Sequence, residues 1–372
     1  MKCKLSDICD FRKGKVEVEN LNAKNYISTE NMLPNKCGIT EASSLPTVSS
    51  TQEYNSGDVL ISNIRPYFKK IWQAQYDGGC SNDVLVFVPK PNTDKDFLYY
   101  VLADDDFFTY SMATSKGTKM PRGDKNSIMQ YEVPLIDLQV QKKIASVLKV
   151  LDEKIELNNE INNNLEQQAQ TIYQQMFIDN ARSDWAEGTL SDIADITMGQ
   201  SPSGSSYNED GTGTIFFQGR AEFGFRFPSV RLYTTEPKRM ARSNDTLMSV
   251  RAPVGDLNVA HMDCCIGRGL AAIHSKSHHQ SFVLYTMFSL KKQLDVFNGE
   301  GTVFGSINRN SLNDMPIFIP SDDILDEFER IVAPMDLTIR NNYDENCRLQ
   351  DIRDTLLPRL MSGELDVSDI DI

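Results

Sequence analysis

KLSDICDFRKGK (residues 4–15) returns as TLSDIADITMGQ (189–200), an offset of 185. Working outward from this pair, the chain repeats itself in order. YISTENML (26–33) returns as FFQGRAEF (216–223), GDVLISNIRP (57–66) as NDTLMSVRAP (244–253), and FLYYVL (97–102) as FVLYTM (282–287). SKGTK (115–119) then matches GEGTV (299–303) and KNSI (125–128) matches RNSL (309–312), after which the offset holds at 184 through Phe177 and Met361. No single match is decisive, but common order and a nearly constant offset are: the chain is written twice.

Each copy opens with short alternating apolar runs, such as DVLISNI and DVLVFVP in the first, punctuated by Gly, Pro, Asn and Ser. That pattern predicts short strands and turns. An interrupted apolar segment (97–114; 282–297) predicts a helix. Then the period changes. Positions 144, 148, 151, 155, 158, 162, 165, 169, 172 and 176 keep a four-three alternation, and positions 328 to 360 repeat it 184 residues on. This is a coiled-coil-type seam. Asn158 and Asn162 sit mid-way along one seam, Asn342 and Asn346 mid-way along the other. If the helices pack antiparallel, middle meets middle and these four fix the register at some cost in stability; the alternative has them facing solvent on a curved helix. Pro334 predicts a kink or a second start, and Pro358 a stop.

The expected fold class is therefore α+β: two modules of short strands, each followed by a long helix, the helices packed as an antiparallel rod with pseudo-twofold symmetry. The boundaries read 1–136, helix 137–180, 181–320, helix 321–362 and an acidic tail 363–372. A helix of about 40 residues spans roughly 60 Å, so such a rod would hold one module at each end, which suits two separated half-sites on a duplex.

The net charge of −14 looks wrong for a nucleic-acid binder, but it is unevenly spread. Residues 1–136 carry 16 basic and 17 acidic side chains and residues 181–320 carry 13 and 14, whereas 321–372 carry 5 and 14. The modules are near neutral and can each present a basic face; whole-chain charge argues only against non-specific adhesion. No run reaches a membrane span, the N-terminal stretch lacks an apolar signal core, and seven cysteines form no CxxC pair. A reducing cytoplasm is the expected setting.

Catalytic motifs are missing. There is no GxxxxGK[ST] phosphate loop, no GxSxG elbow and no Asn/Asp-Pro-Pro-aromatic tetrapeptide. The Gly-rich stretch around 211–219 reads as a loop. His274 with His278 or His279, after Cys264 and Cys265, lacks metal-site spacing, so these read as surface histidines and small core thiols, with no metal expected. What remains is basic, polar and aromatic clusters at matching places. SNIRPYFKK offers Ser62, Asn63, Arg65, Tyr67, Lys69 and Lys70; SKGTKMPRGDKN offers Lys116, Lys119, Arg122, Lys125 and Asn126. In the second copy, Ser249 and Arg251 stand opposite the first cluster, and Thr302, Asn308, Arg309 and Asn310 opposite the second, with Gln218, Arg220 and Arg226 added among aromatics. Arg reads guanine edges bidentately, Asn and Gln read adenine, and Lys holds phosphate; the alternative is that these are solvated loops.

MGQSPSGSSYN (198–208), the DVLISNIRP run, the central helix ending QTIYQQMF and the terminal RDTLLPRLMSGELDV (353–367) resemble the specificity subunits of type I restriction–modification systems. The likeness covers essentially the whole chain. It implies a non-enzymatic, cofactor-free subunit whose two target-recognition domains each read half of a split double-stranded DNA target, with the helices setting the spacer. Partners would be two modification subunits, which carry S-adenosylmethionine and methylate adenine, and a translocating restriction subunit that joins to cleave. On this reading Arg65, Lys69 and Lys70 serve one half-site, and Arg220, Arg251 and Arg309 the other. One departure stands out: the first copy has DFRKGK where the second has ITMGQSPSG, so the family's glycine-serine-proline turn occurs once. A specificity subunit of a related system that cuts beside its site, a coiled-coil tethering protein and a fused modifying enzyme are the competing readings.

Overall fold

The computed structural model describes residues 2–117, 119–299 and 305–367. The chain divides into two compact units, residues 1–156 with 346–372, and residues 157–345. Each unit therefore takes its helical layer from both long helices.

Both units follow one plan. A short ladder ties the start of each copy to the end of its strand-rich part: Lys2–Lys4 pairs antiparallel with Glu132–Pro134, and Ala186–Thr189 with Pro316–Ile319. A four-stranded antiparallel sheet follows, ordered Cys9–Phe11, Val84–Pro89, Val59–Ser62, Ile71–Gln73 in the first unit. Its counterpart is Ala194–Met198, Leu270–Ser275, Thr246–Ser249, Leu257–Val259. The interrupted apolar segments form helices Lys95–Ala103 and Asp105–Ala113, and Gln280–Ser289 and Lys291–Asp295. In the first unit Asp94 and Asp104 cap both helices by accepting from the free N–H groups of the following turn.

A second sheet also has a common part. Tyr26–Ile27 runs parallel to Gly78–Cys80, which pairs with Ser50–Tyr54; Thr214–Phe217 runs parallel to Cys264–Ile266, which pairs with Met240–Ala241. The copies then diverge at opposite edges. The first adds Lys15–Glu17 beside Ser50–Tyr54, whereas the second adds Leu232–Thr234 and Tyr207–Asn208 beside Thr214–Phe217. The divergence follows the segment in which DFRKGK and ITMGQSPSG differ. After Phe11 the chain turns at Gly14, where a Cβ would lie 2.2 Å from Glu53 Oε1. After Met198 it turns at Gly199, where a Cβ would lie 2.1 Å from the Gly267 carbonyl oxygen, and heads for the other edge. The Gly-rich stretch around 211–219 is not all loop: Gly211 and Gly213 make the turn, but Thr214–Phe217 is a strand, because its apolar run pairs on both sides.

The long helices span Leu138–Tyr173, extended by a wider turn over Gln174–Asp179, and Asp322–Met361. Every seam position is buried or half-buried. In the first unit Ile144 and Leu148 share a core with Leu357, Leu360 and Met361, and with Leu5 and Ile8 at the start of the chain. In the second, Asn158 Nδ2 donates to Glu345 Oε2 (2.7 Å), Asn342 Nδ2 donates to Asn162 Oδ1 (2.8 Å), and Ala169, Tyr173 and Phe177 pack with Ile339, Val332 and Phe328. Partner numbers fall as the first helix advances, so the helices run antiparallel within each unit. Asn158, Asn162 and Asn346 are buried, which overturns the solvent-facing alternative for them. Pro334 starts no second helix and Pro358 is not the stop, since the helix runs through both to Met361. Among the described residues no helix is long and apolar enough to cross a membrane.

Candidate nucleic-acid interface

Strand Val59–Ser62 leads into the turn that carries the first cluster. The Asn63 N–H donates to the Asp83 carbonyl (2.8 Å), the Asn63 carbonyl accepts from Gly123 N–H (3.2 Å), and Arg65 N–H donates to the Pro121 carbonyl (2.8 Å). Ile64 and Lys116 both bridge to Arg122. The two clusters 62–70 and 115–126 thus form one surface. Gly123 makes this approach possible, because a Cβ there would come within 2.7 Å of Asn63 Oδ1.

The tip is conformationally strained. Arg65 and Lys69 adopt left-handed φ of 51° and 49°, as do Asn35 and Lys36 at 57° and 62°. The two segments are tied by Asn35 N–H to the Phe68 carbonyl (2.8 Å) and Lys36 N–H to the Lys69 carbonyl (2.9 Å). Left-handed non-glycine residues each cost about 1–3 kcal/mol and cluster where function needs them. Tyr67 and Phe68 project from this tip, exposed and in ring contact. Lys36 and Lys69 share Asp105 at 2.8 and 2.7 Å. Burial alone would raise the Asp105 carboxyl, but hydrogen bonds from both lysines outweigh it and hold it below its ordinary value. Lys70 donates to the Thr29 carbonyl (2.6 Å), and its partial burial lowers its pKa.

The remaining basic residues divide by tether. Lys116 pairs with Asp124, and Arg122 with Asp83 (3.1 Å). Arg65 and Lys119 are exposed and form no ion pair with a described residue, Lys125 lies over the Phe11 ring at 5.8 Å, and Asn126 is exposed. Asp124 caps helix Lys125–Ile128 through Ser127 N–H (3.0 Å).

The second module makes the same junction. Arg251 bridges to Ser306, Ala252 N–H donates to the Gly305 carbonyl (3.0 Å), and Ile307 N–H donates to the Val250 carbonyl (3.1 Å). Asn308 caps helix Arg309–Asn313 through Ser311 N–H (2.9 Å), and Arg251, Arg309 and Asn310 are exposed. Arg220 pairs with Asp256, which also holds Lys291 at 3.3 Å. Gln218 is exposed, and its carbonyl accepts from Gly269 N–H (3.2 Å). Thr302 lies outside the described residues.

Three expected contacts are corrected. Arg226 is only 4% exposed, with Glu166 Oε2 at 2.9 Å, Asp336 Oδ1 at 3.2 Å and the Tyr285 hydroxyl at 3.2 Å. A guanidinium enclosed by two carboxylates cannot reach a duplex, so it is a core ion cluster. Ser62 and Ser249 are also buried: Ser62 donates to the Ile64 carbonyl (3.1 Å), and Ser249 donates to the Pro253 carbonyl (2.6 Å) while accepting from Asp256 N–H (3.0 Å). They shape the turns that present Arg65 and Arg251. Phe68, Lys36 and Arg268 were missed. Arg268 stands between Gly267 and Gly269, and its N–H donates to Ser201 Oγ (3.2 Å), the turn of MGQSPSG; a glycine-flanked Arg was the available signal.

Residues 1–167 match the family described as the type I restriction modification DNA specificity domain. Over most of its length the chain is similar to type I restriction enzyme specificity subunits. It is 28% identical to the type I restriction enzyme MjaX specificity subunit assigned to Methanocaldococcus jannaschii, across 84% of this chain and 79% of that protein. It is 24% identical to the HindI specificity subunit of Haemophilus influenzae, across 91% and 94%. A crystal structure of a type I restriction-modification S subunit from M. genitalium shares the fold, with a TM-score of 0.60 at 16% identity over 99% of this chain and 96% of that one. The equivalent junctions 62–70/115–126 and 249–255/305–310 are therefore the candidate DNA-facing surfaces of the two modules.

Proposed function

We propose that the chain is the sequence-reading component of a type I complex, in which each module binds one half of a split double-stranded target and the long helices set the spacing. The observation that carries this reading is the repeated junction. Two loops distant in sequence meet at the same place in both modules, and each junction presents an exposed Arg with no ion pair to a described residue, Arg65 in one and Arg251 in the other. Untethered guanidiniums suit bidentate readout of guanine, while the tethered Lys69, Lys116 and Arg220 suit phosphate, since an exposed ion pair opens at little cost. The loops differ in side chains between modules, so the half-sites differ. In this reading the chain contributes binding and no chemistry. Two modification subunits bring S-adenosylmethionine and methylate adenine, and restriction subunits join them to cleave.

Methylation mapping of host DNA with the gene present and deleted tests the proposal. The expected result is loss of one bipartite adenine-methylated motif on deletion. An unchanged methylation map in cells that produce the intact complex, or methyl transfer by the purified chain alone, overturns it.

A further inference from the structure

The stretch that carries the new site joins the recognition part of the second module to its long helix. We propose that His278, His279 and Asp326 bind a single divalent transition-metal cation of the zinc class. His278 Nε2 and His279 Nε2 lie 2.7 and 2.8 Å from the same Asp326 oxygen, and the three ligand atoms all fall within 4.8 Å of one another. Two imidazole nitrogens and one carboxylate oxygen favour zinc, nickel or cobalt over magnesium or calcium, which prefer all-oxygen shells. A tetrahedral ion about 2.0–2.1 Å from each nitrogen sets its donors roughly 3.3 Å apart. The two nitrogen–oxygen separations would thus widen by about half an ångström around such an ion.

The site is built rather than incidental. The His279 side chain is 5% exposed, and Ser277 Oγ lies 2.9 Å from its Nδ1. With Ser277 Oγ accepting from Nδ1–H, Nε2 carries the lone pair that a metal takes. The His278 ring packs against it at 4.1 Å. His278 and Asp326 are 74% and 58% exposed, which leaves an entry path and an open position for water. Helix residues 322–329 supply Asp322, Asp323, Asp326, Glu327 and Glu329, a negative field that offsets the positive start of helix Gln280–Ser289.

The first module supplies an independent argument. There the same joint, between the start of helix Lys95–Ala103 and the first turn of helix Leu138–Tyr173, is latched by a neutral amide. Gln141 is 3% exposed; its Oε1 accepts from Asp94 N–H (2.9 Å), and its Nε2 donates to the Asn92 and Ile136 carbonyls (3.2 and 2.9 Å). Leu325 stands at the matching position of the second module, and the neighbouring Asp326 takes over the joint with His279, at the place of Asp94. The latch is kept while its chemistry becomes metal-binding.

Calorimetric titration of the full chain with nickel chloride near neutral pH is the test. One saturable equivalent is expected, weakened more than about tenfold by His278→Gln and by Asp326→Asn, and unchanged by His274→Gln, which sits in a separate pair with Asp245. Hydrogen exchange along Gln280–Ser289 should slow on nickel addition in the wild type and not in His278→Gln, whose exposed side chain makes misfolding an unneeded explanation. Absence of saturable uptake overturns the proposal. So does uptake that both ligand variants retain, because the ion would then sit elsewhere on the chain.

Discussion

The two modules hold the helix of their apolar segment, Lys95–Ala103 or Gln280–Ser289, to the long helix with the same Tyr–Asp pair but a different arginine. In the first, the Tyr100 hydroxyl donates to Asp152 (2.7 Å), which also takes Arg353 at 2.8 Å. In the second, the Tyr285 hydroxyl donates to Asp336 (2.9 Å), which takes Arg226 at 3.2 Å. Tyr and Asp keep the repeat offsets of 185 and 184, yet the cation does not. Arg353 comes from the second long helix, and its repeat mate is the buried Ala169; Arg226 comes from a loop of the recognition part. Each arginine has a second carboxylate, Asp354 or Glu166. Duplication therefore preserves the acidic half of the joint, because its two residues lie on regular elements. The counter-charge is recruited from whichever segment packs nearby.

Burial separates the two clusters and ranks the expected effects. Arg226 is 4% exposed and Arg353 21%. Burial also pushes the Glu166 carboxyl above its ordinary range, offset only in part by Arg226. Arg226→Ala leaves two carboxylates uncompensated and should cost about 3–5 kcal/mol. Arg353→Ala, with water at hand to solvate Asp152, should cost about 1–3 kcal/mol. Urea unfolding with hydrogen exchange measures both; equal losses would break the comparison.

The recognition surfaces come next. Arg65→Ala should cost about 1–3 kcal/mol and relax one base position in one half-site, and Arg251→Ala should do the same in the other. Competition binding of the assembled complex against single-base variants reads this directly. An effect of Arg65→Ala on the half-site read by the second module would dissolve the one-module, one-half-site assignment.

The smallest effect concerns the matching caps Asp124 and Asn308. Hydrogen bonds from Lys116 and the Ser127 N–H hold the Asp124 carboxyl down to about 2. A carboxyl depressed in the folded state stabilises fully above its unfolded value near ~3.9 and loses that contribution as pH falls through the folded value. Acidification from about pH 4 toward 2 should therefore speed amide exchange at Ser127, while the Asn308 cap contributes no such step at Ser311. Parallel acid loss at both amides would show that the cap charge is irrelevant.

Much of this was legible beforehand because it is periodic or repeated. The four-three seam, its central asparagines, the antiparallel pairing and the matching loop clusters all follow from local spacing and side-chain type. The loops gave no sign of which arginines end up inside: Arg220 and Arg226 stand six residues apart in one aromatic-rich stretch, one exposed and the other enclosed by Glu166 and Asp336. Burial depends on which distant element covers a side chain, and that is not written in the residue's own neighbourhood. The same holds for His279 and Asp326, 47 residues apart and joined only by packing. It holds too for the second sheet, whose two copies grow at opposite edges although Gly14 and Gly199 match in sequence. Pattern alone determined the duplication, the helices and the surfaces worth testing. Tertiary packing decided which charges are neutralised within, which reach outward and where a cation could lodge, because desolvation is set by the whole fold around a group.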